Sequence, residues 1–239
     1  KLKVTEAGQN FFKHCILAIQ EIEKGESEIS ASQEKPRGLI KVTAPSDVGH
    51  SLLPRIVCDY LEKFPETEIE MIVTNRIVDL IEEGVDLAIR AGELKDSTLI
   101  AKKFFEIRSG FWASPGYLKK YGRPSHPKDL HRHKLILHST FKAGSLAISD
   151  GKNNYQMPNK TKIRVDDFEA IQELLYLDAG IALLPEFLVQ RSIRASKLER
   201  VLPNWQIKNS GSFYFVYPGQ KYALPKVRAF IDLASSFKL

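Results

Sequence analysis

From residue 38 onward the chain alternates short apolar strands with amphipathic helices, each closed by a glycine or a proline, and few architectures can use that order. GLIKVTA (38–44) has the β-branched content of a strand. In SLLPRIVCDYLEKF (51–64), Leu52, Leu53, Ile56, Val57, Tyr60, Leu61 and Phe64 recur at helical spacing until Pro65 stops them. TEIEMIV (67–73) is a second strand, RIVDLIEEG (76–84) predicts a short helix ended by Gly84, and VDLAIRA (85–91) is a third strand. Successive strands separated by helices must run the same way, so this order predicts a parallel sheet with right-handed crossovers.

A second α/β set follows. LIAKKFFEI (99–107) and GFWAS (110–114) read as strands leading to a helix with Ser114 as cap, Pro115 at its first position and Gly122 past its end. KLILHS (134–139) is a strand, DGKN (150–153) a hairpin turn, and KTKIRV (160–165) a strand entering a helix. That helix opens with Asp166 and Glu169 at capping-box spacing and is expected to end at Gly180. IALLP (181–185) is a buried strand, Pro185 starts another helix, and SFYFVYP (212–218) is a strongly apolar strand. The last helix, 225–237, turns Val227, Phe230, Ile231 and Ala234 inward. Two such lobes leave a cleft. Open α/β sheets bind ligands at the C-terminal ends of their strands, so function is expected there.

The front of the chain follows a different rule. Thr5 is a good N-cap, and nothing breaks a helix from Glu6 until Pro36 and Gly38. Phe11, Cys15, Ala18, Ile22, Gly25 and Ile29 repeat with the 4,3 rhythm of a coiled-coil seam, and Phe12, Ile16 and Ile19 widen the stripe. A lone helix this apolar is marginal in water, so it needs a partner helix or its own domain's core. Pairing through residues 5–32 is the expectation.

Composition narrows the function classes. The net charge is +6, but residues 1–37 are balanced, 38–110 carry −4, 111–213 carry +7 and 214–239 carry +3. No dense basic run or interleaved aromatic set marks a nucleic-acid groove in the body. Apolar runs reach five residues, against roughly 20 needed to cross a bilayer, and the first 30 residues lack a signal-peptide pattern, so no membrane partner and a cytoplasmic location are expected. Cys15 and Cys58 have no CxxC or CxxH spacing and read as plain thiols. No GxSxG, GxxxxGK, GxGxxG or HExxH occurs, so neither an enzyme nor a cofactor is suggested. His126, His131, His133 and His138 crowd one stretch, but it spans a turn and a strand and is studded with Lys128, Arg132 and Lys134, which would repel a metal ion.

The helix starts APSDVG (44–49) and RVDDFEAI (164–171) each follow a strand. Ser46, Asp47, Asp166 and Asp167 can be simple caps; as a pair, the two starts could instead clamp a small polar ligand with free N–H groups and hydroxyls. Aspartate at both starts argues against a strongly anionic ligand unless Arg90 or the basic second lobe compensates.

LKVTEAGQNFF (2–12), GLIKVTAPSDVGHSLLPRIVCDYLEKFPE (38–66), VDLIEEGVDLAIRAGEL (78–94), ASPGYLKKYGRPSHPKDLHRH (113–133), VDDFEAIQELLYLDAGIALLPEFLV (165–189) and YPGQKYALPKVRAFIDLA (217–234) together resemble a LysR-type transcriptional regulator along nearly the whole chain. The resemblance implies two Rossmann-like lobes of the type 2 periplasmic-binding-protein kind, preceded by the end of a winged helix-turn-helix and a linker helix (1–37). Lobe I is expected at 38–110 plus 214–239 and lobe II at 111–213. It further implies a small-molecule effector, promoter DNA as partner of the complete protein, and dimers or tetramers. Positions matching the family's effector cleft are Ser46, Asp47, Asn75, Arg90, His138, Ser139 and Asp166, the last standing where many relatives have Asn. Lys1 and Lys3 could touch DNA phosphates, but phosphate contacts do not specify a site. The helices preceding the wing do not occur in these residues, so the chain alone is expected to bind operator DNA weakly. A solute-binding protein of the same two-lobed shape is the alternative.

Overall fold

The computed structural model describes residues 5–8, 10–12, 14–15, 18–19, 22, 25, 35–92, 99–141, 146–157, 161–207, 211–219 and 224–237. The chain divides into two compact units, residues 1–105 with 212–239, and residues 106–211.

Unit 1 is built on β1 (Gly38–Ala44), β2 (Thr67–Val73), β3 (Leu87–Ala91), β4 (Leu99–Glu106) and β13 (Ser212–Pro218), in the order β2-β1-β3-β13-β4. β2, β1 and β3 are parallel, as the alternating pattern requires. The sheet as a whole is mixed, because β13 lies antiparallel beside β3. Helices α1 (Ser46–Ser51) and α2 (Leu53–Lys63) follow β1: the chain breaks at Leu52, and Pro54 lies in the first turn of α2, where a missing N–H costs nothing. On α6 (Pro225–Ser235) the inward residues are Val227, Phe230, Ile231 and Ala234, as the spacing predicts. Phe230 meets Tyr60 of α2 edge-on at 5.2 Å, and the Tyr60 hydroxyl donates to the Lys226 carbonyl at 2.8 Å.

The helix expected at 76–84 does not form. Asp79 Oδ1 accepts from the N–H groups of Ile81 and Glu82, which ties this stretch into a turn, and Arg76 pairs with Glu83 across it. Val78 and Leu80 point inward while Ile77 is exposed, an alternation that no helix face would produce.

Unit 2 holds β5 (Ser109–Ala113), β6 (Leu135–His138), β9 (Ile163–Val165), β10 (Ile181–Pro185) and β11 (Glu199–Val201), ordered β11-β5-β10-β6-β9. The three strands β10, β6 and β9 are parallel, whereas β5 is antiparallel to both β10 and β11. Helices α3 (Pro115–Tyr121), α4 (Phe168–Tyr176) and α5 (Glu186–Arg194) complete it. Phe111, Leu135, Leu137 and Leu183 pack on one face of this sheet, and Trp112, Ile136, Ala182 and Leu184 on the other. Ser114 caps α3 by accepting from the Tyr117 N–H. The hairpin turn expected at 150–153 joins β7 (Ala147–Ser149) to the antiparallel β8 (Asn154–Gln156), whereas β12 (Gln206–Ile207), which pairs with β7, and a 3-10 helix (Pro127–Arg132) were not apparent in the apolar pattern.

Two expectations for α4 are corrected. Its cap is Asp167, not Asp166: the Asp167 Oδ1 accepts from the Ala170 N–H at 2.8 Å. The helix ends at Tyr176, and Gly180 has another duty, because a Cβ there would collide with the Lys134 carbonyl at the start of β6.

The β7–β8 turn yields a pH prediction. Asp150 accepts from the N–H groups of Lys152 and Asn153 and from the Asn153 side chain, and these donors hold its carboxyl down at about 2. A depressed folded-state value stabilises above the ordinary pKa and is lost as pH falls through the depressed one. Asp150→Ala is therefore expected to lower the melting point near neutral pH, with the gap from wild type closing between about pH 4 and pH 2. Melting curves across that range check it.

At the front, the Thr5 side chain caps as expected, accepting from the Gly8 N–H at 3.1 Å. The residues described between 6 and 25 are helical, and Phe11, Phe12, Ile19 and Ile22 are exposed. Ile16 and Ile29 lie outside the described residues, as do Lys1 and Lys3. Among the described residues no helix is long and apolar enough to cross a membrane.

Candidate functional site

In unit 1, the parallel strands end together, and that brings Ser46, Asp47, Asn75 and Arg90 to one edge of the sheet. Ser46 and Asp47 open α1 directly after β1, Asn75 follows β2, and Arg90 lies on β3. Gly49 lets α1 approach β2 closely, since a Cβ there would stand 2.6 Å from a Val73 methyl. Asn75 Oδ1 accepts from the Ser46 N–H at 2.9 Å, and the Asn75 amide donates to Ser46 Oγ at 3.1 Å. Asp47 Oδ1 accepts from the Val48 N–H. Two of the N–H groups expected to be open to a ligand are thus held by the protein's own side chains. What remains is a polar surface of Ser, Asn and Asp side chains.

Arg90 is half-buried. Its Nη1 donates to the Thr74 carbonyl at 2.7 Å and its Nη2 to Thr43 Oγ1 at 3.0 Å, while the buried Thr43 hydroxyl donates onward to the Ile72 carbonyl. Burial, and then the neighbouring Arg76, lower the guanidinium's proton affinity, and Asp47 opposes them. An arginine so placed keeps its charge. Arg76 is answered by Glu83, whose carboxyl it holds below the usual range. Thr43, Thr74, Arg76 and Glu83 escaped sequence reading; only the ends of the neighbouring strands mark them.

In unit 2, His138 and Ser139 sit at the end of β6 and Asp166 just after β9. His138 pairs in register with Val165, and the Ser139 N–H donates to the Val165 carbonyl at 2.7 Å, so the three are adjacent. His138 is 9% exposed and stacks on Phe168 with centroids 4.1 Å apart; Ser139 and Asp166 are exposed. Thr140 and Phe168, which hold His138, were not apparent in the sequence.

The other histidines do not join it. His126 caps the 3-10 helix in a reciprocal box with Asp129, His131 meets the Tyr155 hydroxyl at 3.0 Å, and His133 meets that of Tyr117 at 3.3 Å. Among the described residues no three metal-ligating side chains converge.

Two α/β units, each with a five-stranded mixed sheet and polar residues at the ends of parallel strands, define a two-lobed ligand-binding fold of the periplasmic-binding-protein kind. The model of the LysR substrate binding domain matches residues 33–237, and the chain belongs to this family of transcriptional regulators. It is 30% identical, over 97% of its length and 69% of the relative's, to a helix-turn-helix transcriptional regulator of Xanthomonas campestris. It is 31% identical to the regulator CrgA of Neisseria meningitidis, covering 97% of this chain and 78% of that one. The solved regulatory domain of CrgA superposes with a TM-score of 0.74 at 28% identity, over 84% of this chain and 98% of that one. The full-length Vibrio cholerae virulence activator AphB gives 0.73 at 26% identity, over 100% and 81%.

Proposed function

We propose that this chain is the sensing and pairing part of a LysR-type regulator, in which a small-molecule effector binds at Ser46, Asp47, Asn75 and Arg90 of unit 1 and at His138, Ser139 and Asp166 of unit 2. The observation that carries the reading is the gathering of four polar side chains at the C-terminal ends of the parallel strands β1, β2 and β3, where open α/β sheets take their ligands. A bound effector acts on transcription only if its affinity differs between two states of the protein. Promoter DNA is the partner of the complete regulator.

A thermal-shift screen of small metabolites, repeated on Ser46→Ala, tests the site. A genuine effector raises the wild-type midpoint, and the variant is expected to lose most of that rise. A hit indifferent to the substitution overturns the assignment.

The exposed Phe11, Phe12, Ile19 and Ile22 support pairing of front helices from two chains. Light scattering is expected to give a dimer or tetramer for the wild type and a smaller species for Phe11→Glu/Ile22→Glu. A wild-type monomer sinks the pairing and favours the solute-binding reading.

A further inference from the structure

His138 is held so that its ring can act in only one direction. The Thr140 backbone N–H, which can only donate, points at His138 Nδ1 at 3.2 Å, and the Thr140 hydroxyl lies 2.8 Å from the same atom. Nδ1 therefore accepts from both, and the ring's proton stands on Nε2. The stack on Phe168, tilted by 18°, fixes the plane of the ring, and only 9% of the residue is exposed. Among the described residues nothing bonds Nε2. Among the described residues the one fully buried side-chain nitrogen or oxygen without a partner is Arg200 Nε, so His138 Nε2 does not count among the sealed, unpaired atoms. The result is a pre-oriented N–H donor at the end of β6 with no partner of its own.

We propose that Thr140 and Phe168 are positioning residues that make His138 a fixed donor, and that the effector therefore presents an acceptor oxygen, of a carbonyl or a carboxylate, to His138 Nε2. The inference rests on the reading that a small molecule binds beside His138. An ammonium group is excluded at this point because two donors would face each other, each robbed of water. The exposed Asp166 and the capping Asp167 follow β9 and could serve a donor elsewhere on the same ligand, so acceptor selection belongs to His138.

The test uses the full chain labelled with 15N-histidine. Long-range 1H–15N correlation spectra read the tautomer directly, and titrations with acetamide, acetate and ethylammonium read what His138 accepts. Wild type is expected to show the Nε2–H form, with the His138 signals moved by acetamide and acetate and left in place by ethylammonium. Thr140 is in an exposed turn, so Thr140→Val should fold. The variant loses the hydroxyl but keeps the backbone N–H, so it is expected to leave the Nε2–H form dominant, raise the share of the Nδ1–H form and weaken both acceptor probes by up to about fivefold, the worth of one neutral hydrogen bond, while Thr140→Ser restores them. Phe168→Leu is expected to leave the tautomer in place but weaken both acceptor probes, because the plane of the ring is no longer held. An Nδ1–H form in wild type, a response to ethylammonium equal to that of acetate, no response to any probe, or unchanged binding by Thr140→Val would overturn the inference. A metabolite hit that ignores Ser46→Ala removes the site assignment without altering the tautomer, so the two failures are distinguishable.

Discussion

Gly180→Ala is expected to lower the melting midpoint of unit 2 by on the order of 10 °C or more, the shift that about 3 kcal/mol produces in a domain of this size. The cause is a backbone clash. An added methyl would drive into the Lys134 carbonyl oxygen, and that same oxygen accepts from the Ile181 N–H at 2.8 Å to begin the parallel pairing of β10 with β6. A flexible side chain could swing away, but a carbonyl already bonded in the sheet cannot move without opening the pairing of Ile181 with Leu135. Lys134 directly precedes β6, four residues before His138, so the variant should also disturb the His138 signals. Calorimetry resolving the two units checks the first effect; an unchanged midpoint would mean that the strands separate at little cost.

Arg90→Leu is expected to abolish effector-induced stabilisation and to destabilise unit 1 by about 2 kcal/mol or more, the loss of two charge-assisted hydrogen bonds. Leucine keeps the apolar stem but leaves the Thr74 carbonyl and Thr43 Oγ1 without the guanidinium that ties the end of β2 to β1. Arg90→Lys is expected to fail nearly as badly, because one ammonium cannot reproduce a planar fork reaching two acceptors. Urea unfolding gives the stability term, and the thermal-shift response to a metabolite hit gives the functional one. A lysine variant with full response would show that Arg90 contributes only charge.

Much of the architecture was legible because it depends on local periodicity. Val227, Phe230, Ile231 and Ala234 turn inward as their spacing requires, Ser114 and Gly122 bracket α3, and the Asp150 turn joins β7 to β8. Errors arose where a side chain competed with the backbone. Asp79 drew two N–H groups into a turn where helix periodicity was present, and Asp167 rather than its neighbour Asp166 capped α4. Asp166 and Asp167 both had the chemistry of a cap, and only the path of the chain chose between them.

By itself the sequence determined the order of strands and helices, the parallel run of β2, β1 and β3, the apolar front helix and the family, since each rests on residues close together or on motifs in order. Tertiary structure alone decided what those residues touch. It inserted β13 antiparallel beside β3, closed Ser46 onto Asn75 across 29 positions, aimed Arg90 at Thr43 across 47, and stacked His138 on Phe168 from another element. Hydrogen-bond geometry between distant strands leaves no periodic trace in a sequence, so the polarity of the His138 donor could be read only once Thr140 and Phe168 were in place around it.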